Sequence, residues 1–211
     1  MSERSPTLSV RFRGPLACFT RPEFKTERVS YEVMTPSAAR GALEAILWKP
    51  AIVWRIERIH VLKPIHFTAF MRNEVTRRMS PDSDGILADE DRAQRNTVAL
   101  TDVDYVVEAH FEFTPKKGEA DNLGKFLDMF SRRVENGQCF HRPYLGCREF
   151  AADFSSAADA PPPHLGPRQM DKELGLMLHD IEFGGENRPR FFHAKLEAGI
   201  LHVPPWNGGV S

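Results

Sequence analysis

Residues 35–50 read Thr-Pro-Ser-Ala-Ala-Arg-Gly-Ala-Leu-Glu-Ala-Ile-Leu-Trp-Lys-Pro, and this run leaves the chain little local freedom. Thr35 offers a side-chain oxygen at a helix N-cap, and Pro36 suits a first helical turn, where no backbone N–H is needed. Ala38, Ala39, Ala42 and Ala45, with Leu43 and Ile46, give one close-packing apolar face. The pattern predicts a helix over Ser37–Trp48 that Pro50 ends.

Strand periodicity surrounds that helix. Thr7–Arg13 places Leu8, Val10 and Phe12 on one face, and Gly14-Pro15 is expected to stop the strand. Residues 51–67 and 97–114 alternate over much of their length, with Val103, Tyr105, Val107, Ala109, Phe111 and Phe113 on one face of the second run. A second helix is expected over Asp121–Asn136, with Leu123, Phe126, Leu127, Phe130 and Val134 at helical spacing and Gly137 as its stop. A further strand is expected at residues 144–150. The order strand, helix, strand, strand, helix, strand predicts an α+β protein with a ferredoxin-like (RRM-like) βαββαβ domain, an architecture that RNA-recognition modules share.

This places one domain at residues 1–150, with a mobile insertion at 77–96 where the chain is polar and turn-rich. Residues 151–170, with Pro161-Pro162-Pro163, read as a linker. Residues 171–211 read as a small C-terminal antiparallel β unit, with Gly184-Gly185 at a turn and Gly199 at another.

A net charge of −1 argues against a protein that coats nucleic acid through charge alone. The charge is nonetheless segregated: residues 11–40 hold six basic side chains against three acidic ones. That pattern leaves room for a local basic face. No apolar run approaches membrane-spanning length, and Met1-Ser-Glu-Arg-Ser-Pro6 lacks the apolar core of a signal peptide, so a cytoplasmic protein with no membrane partner is expected. Cys18, Cys139 and Cys147 have neither disulfide nor zinc spacing and read as small buried residues in a reducing compartment.

The eight histidines do not have metal-ligand spacing, and phosphate-loop, dinucleotide and nucleophile-elbow motifs are absent, so no metal or cofactor is expected. Metal-free RNA cleavage needs less equipment. A base takes the ribose 2′-hydroxyl proton, a cation stabilises the phosphorane and an acid protonates the leaving oxygen. Phe111 and Phe113 are of a type that stacks bases on a sheet, but plain core is the favoured expectation for both, and the usual RNA-recognition aromatic signature is missing.

A second block, Gly137-Gln-Cys-Phe-His-Arg-Pro-Tyr-Leu-Gly-Cys-Arg-Glu-Phe150, follows the second helix. Together with Tyr31–Pro50 it resembles the CRISPR-associated family-five protein of type I-C systems (Dvulg subtype). The resemblance runs over about residues 8–203. It implies an endonuclease of antiviral defence that cuts CRISPR precursor RNA at the repeat hairpin. It also implies that the protein stays on the 5′ handle of the mature guide RNA, among the other subunits of the type I-C interference complex (Cascade). Contact with target DNA inside that complex is left open.

In that family cleavage is attributed to a tyrosine ending the first helix and to a Lys-His pair opening the second. Here those positions hold Leu47, Lys125 and Phe126. Lys125 is therefore kept as a catalytic candidate, with Tyr31 and His141 as further proton-transfer candidates and Tyr144 beside them. Arg11, Arg13, Arg21, Lys25 and Arg28 are the expected phosphate contacts, followed by Arg132, Arg133, Arg142 and Arg148. The competing expectation is a subunit that caps the guide RNA without cutting it.

Overall fold

The computed structural model describes residues 3–24, 26–76, 79–80, 85, 89, 91–182 and 187–206. Lys25, the Gly184-Gly185 turn and half of the expected insertion lie outside the described residues. Along the chain run β1 (Leu8–Ala17), β2 (Arg28–Val29), α1 (Pro36–Ile46), β3 (Ile52–Val61), β4 (Phe67–Val75) and β5 (Arg92–Phe113). There follow α2 (Leu123–Glu135), β6 (Asp153–Ser156), the short α3 (Pro167–Met170), β7 (Lys172–Glu182), β8 (Arg188–Glu197) and β9 (Ile200–His202).

Among the described residues the strands form one sheet, in the order β6-β1-β5-β3-β9-β8-β7. Apart from β2, which runs parallel to β5, the pairings are antiparallel. β5 is the axis of the molecule. Its second half pairs β1 and β3, and its first half pairs β4 and β2.

Both helices start where side chains can satisfy them. Thr35 Oγ1 accepts from Ala38 N at 3.3 Å, and Asn122 Oδ1 accepts from Lys125 N at 2.9 Å. α2 ends as its glycine predicts: Gly137 sits at φ 62, its N–H reaches the Val134 carbonyl, and the Gln138 N–H reaches that of Arg133. That 6→1 and 5→2 pair is a Schellman closure, which needs a left-handed residue. Trp54 fills the space between helices and sheet, with ring centroids 5.5 Å from Phe111 and 4.7 Å from Phe130. Phe111, wholly buried, is core rather than a stacking platform.

Several expectations are corrected. β1 continues through Gly14-Pro15 to Ala17; Pro15 and the opposite Asp102 drop out of the register, and Asp102 takes φ 49. A proline without an N–H is tolerated where the ladder is already broken. Residues 144–150 form no strand, because Gly146 at φ 85 turns the chain there. The fourth strand of the expected order lies instead in the stretch read as linker, at β6 against β1. Residues 92–96 of the expected insertion belong to β5, paired with β4. The strands of the expected C-terminal unit continue the main sheet, because β9 pairs with β3 from Arg58 to His60.

Candidate functional site

Arg11 and Arg13, two of the expected phosphate contacts, lie on the face of β1 opposite Val10 and Phe12. That face is a lattice of neutralised charge. Arg11 Nε and Nη2 lie 2.9 and 2.6 Å from the two carboxylate oxygens of Asp104, which is buried. Arg58 and His60 share Glu108, Arg55 holds Glu112 at 3.2 Å, and His110 Nδ1 meets Glu57 at 2.5 Å. Such pairs cost desolvation on both sides and leave little net positive field. Arg13, exposed, makes no ion pair among the described residues.

The stronger cluster forms along the loop 138–150. It leaves α2 at Gln138 and crosses the end of α1, where Phe140 N and His141 N both donate to the Ala45 carbonyl at 2.9 and 3.3 Å. It then passes β6, with Ala152 N on the Pro143 carbonyl and Arg142 on Asp153 at 2.7 Å. It docks at the end of β1, where Cys18 N donates to the Leu145 carbonyl at 3.0 Å. Gly146 is required there: a Cβ would fall 2.1 Å from the Cys18 carbonyl oxygen.

This path gathers cations from separate elements. Arg132 and Arg133 end α2, where they complement the helix dipole, and Arg133 also donates to the Ile46 carbonyl. Arg142 lies beside Asp153, the cross-strand partner of Arg13. Arg28 binds Glu149 at 2.6 Å next to Arg148. Arg132 and Arg148 are exposed and make no ion pair among the described residues. The His141 ring stacks on Tyr144, with centroids 6.4 Å apart and planes 20° apart.

Sequence reasoning passed over two aromatics on this side, although each is flanked by basic residues. Trp48 and Phe140 are 57% and 78% exposed. Trp48 lines a groove of about 520 Å³ of mixed charge, with Lys49, Arg55 and Lys116 facing Glu44, Asp180 and Glu182.

The three catalytic candidates are not brought together. Lys125 opens α2; its Nζ lies 2.8 Å from Asp121 Oδ1. That bond and the Gly118 N–H hold the Asp121 carboxyl below its ordinary range. His141 lies beyond the other end of α2, which rises about 15 Å from Lys125 to Glu135. Tyr31 is buried, its hydroxyl accepting from Leu178 N at 3.3 Å and its ring under Arg21 at 4.5 Å. Burial pushes that hydroxyl above its usual range, which disfavours proton release. Leu47 and Phe126 are both sealed in the core, Phe126 edge-on to Phe111 at 6.2 Å. Among the described residues no group of three or more histidine, cysteine or carboxylate side chains could hold a metal ion. No helix among them is long and apolar enough to cross a membrane.

Comparison with known proteins places this architecture. A family model for the CRISPR-associated protein Cas5, of the Cas5d type, matches residues 7–204. A protein of Mannheimia succiniciproducens named CRISPR pre-crRNA endoribonuclease Cas5d is 46% identical over 208 residues, covering 92% of each chain. One of the same name from Thermus thermophilus is 43% identical over 216 residues, covering 93% of this chain and 91% of its own. The fold is that of a solved CRISPR-associated protein at TM-score 0.76 and 19% identity, covering 100% of this chain and 98% of the other. A chain of a CRISPR RNA-guided surveillance complex matches at TM-score 0.56 and 14% identity, covering 95% and 92%. With the model spanning nearly every residue and relatives this similar along their whole length, the chain belongs to the Cas5d family of CRISPR-associated proteins.

Proposed function

We propose that this protein is an endoribonuclease that cleaves CRISPR precursor RNA at the base of the repeat hairpin. It then remains on the 5′ handle of the guide RNA as a cytoplasmic subunit of the type I-C interference complex. The observation that carries this reading is the near-full-length identity to relatives named for pre-crRNA cleavage. The strand order β6-β1-β5-β3, with α1 joining β1 to β3 and α2 joining β5 to β6, supports a ferredoxin-like core beneath the RNA.

In this mechanism the ribose 2′-hydroxyl attacks the adjacent phosphorus, the 5′-oxygen of the next nucleotide leaves, and the products are a 2′,3′-cyclic phosphate and a 5′-hydroxyl. No metal is required if a cation neutralises the phosphorane and the attacking oxygen is held in line. Lys125 takes the cationic role on releasing Asp121, and its capped backbone N–H keeps it at the mouth of α2. His141 lies too far along α2 to share that phosphate, so His141, Tyr144 and the arginines of the 138–150 loop grip the handle. Tyr31 supports the core from which that loop hangs. The other complex subunits, and target DNA held by the assembly, complete the proposed partner set.

Incubation of the purified protein with its own repeat RNA in EDTA tests this. A discrete cut leaving a cyclic phosphate, lost in Lys125→Ala while binding persists, is the expected result. The burial of Leu47 and Phe126, where proton-transfer groups stand in the resembled family, favours a second reading: a guide-RNA cap without catalysis. Tight binding with no product would select it.

A further inference from the structure

A different chemistry is built where the loop meets β1. Cys18 follows the last residue of that strand and is wholly buried, while Cys147 is only partly buried in the loop. Thr20 Oγ1 lies 3.6 Å from Cys18 Sγ and 3.9 Å from Cys147 Sγ, so one hydroxyl touches both sulfurs. Cys147 Sγ approaches the Cys18 carbonyl oxygen at 3.5 Å, and Arg28 Nη1 donates to Cys147 Sγ at 3.4 Å. The backbone holds the two segments face to face, through the Cys18–Leu145 hydrogen bond and the close approach at Gly146.

We propose that Cys147 is a reactive thiol that exchanges with low-molecular-weight disulfides such as oxidised glutathione, and that Cys18 resolves the mixed disulfide. The Cys147 sulfur attacks one sulfur of the disulfide, an S–S bond forms, and the first thiolate leaves. Cys18 then attacks the Cys147 sulfur and gives its proton to the second leaving thiolate. The external disulfide is reduced to two thiols, and the Cys18–Cys147 pair is oxidised by two electrons.

The surroundings favour this order of events. The neighbouring Cys18 thiol, then the Arg28 guanidinium and Thr20, hold the Cys147 thiol below its ordinary range, against burial and the Glu149 carboxylate. The neighbouring Cys147 sulfur and burial push the Cys18 thiol up, so it stays protonated until the second step. From β4, the Arg72 guanidinium also interacts electrostatically with Cys147 and Cys18, while Glu74 pairs with both Arg28 and Arg72. The thiolate is the attacking species, so the loop cysteine goes first. Closure would staple the loop to β1 and remove one negative charge from beside Arg28.

Cys139, exposed and with no such partners among the described residues, is the internal control. The reduced full-length protein is pulsed with iodoacetamide at pH 6.5, and separately incubated with oxidised glutathione, acid-quenched and mapped by peptide mass. Cys147 should alkylate at least about ten-fold faster than Cys139. Arg28→Gln should cut that advantage several-fold without changing the Cys139 rate. The glutathione sample should contain a Cys18–Cys147-linked peptide pair, and Cys18→Ser should instead accumulate glutathione on Cys147. Faster labelling of Cys139, or glutathione found on Cys139 alone, would overturn the proposal. So would a mixed disulfide on Cys147 in the wild type that never passes to Cys18.

Discussion

The indole Nε1 of Trp54 donates to the carbonyl oxygen of Leu47 at 2.9 Å, tying the last turn of α1 to the strand that follows it. The bond is buried, so its loss strands an acceptor as well as removing an attraction. Trp54→Phe should destabilise the protein by about 1–3 kcal/mol. In urea the midpoint should fall with the m value unchanged.

Leu47 and Phe126 stand where proton-transfer groups are expected, and both are sealed in the core. The double substitution Leu47→Tyr, Phe126→His should raise the single-turnover rate on repeat RNA, about 10²-fold if one proton transfer is recovered. It should also lower stability, because a polar ring replaces a packed phenyl between Phe111 and Phe113. An unchanged rate in a folded double variant would place the chemistry elsewhere.

Arg11 and Arg132 should behave oppositely. Arg11 is spent on buried Asp104, whereas Arg132 is exposed and unpaired among the described residues. Arg11→Ala should cost about 3 kcal/mol of folding stability, because it leaves a buried carboxylate uncompensated. Where the variant is folded, its RNA affinity should hold. Arg132→Ala and Arg148→Ala should leave stability within about 0.5 kcal/mol of wild type. Each should reduce the salt slope of RNA binding by about 0.7, read from affinities across a salt series.

Gly146→Ala tests the docking of the loop. The new methyl group would meet the Cys18 carbonyl at 2.1 Å on a backbone already at φ 85. Strand and loop must separate, so we expect loss of more than about 2 kcal/mol and weaker repeat-RNA binding. Gly137→Ala, at φ 62 with open space around it, should cost only about 1 kcal/mol. Thermal denaturation of the two variants side by side makes the comparison.

Acid should act on the start of α2. Asp121 is held below its ordinary value first by Lys125 and then by the Gly118 N–H, so its contribution is present above the unfolded carboxyl range and lost as pH falls through the folded value. Asp121→Asn should therefore lower the midpoint at neutral pH, leave it close to wild type at the acid end, and so flatten the low-pH limb of the stability profile. Thermal midpoints from pH 2.5 to 7 measure both limbs.

What the sequence disclosed depended on how local each determinant was. The N-cap of α1 and the glycine closure of α2 are set within four residues and were legible; α1 itself stops at Ile46, two residues before the end that Pro50 suggests. β6 was not: Asp153-Phe-Ser-Ser156 is short, next to proline-rich chain, and becomes a strand only because β1 offers an edge. Residues 144–150 alternate like a strand, but Gly146 turns them. Arg11 looked free because Asp104 lies 93 positions away and reaches it only in the observed register. Lys125 and His141 were paired as candidates without regard to the length of α2, and a helix keeps its ends apart.

The pairing of β9 with β3 bears on how the protein is made. Residues 58–60 leave the ribosome long before residues 200–202, the segment that covers them. Until then the outer rim of β3 presents unsatisfied backbone groups to every other nascent polypeptide nearby. Biogenesis should therefore be sensitive to truncation near the C-terminus, even where no RNA contact is removed.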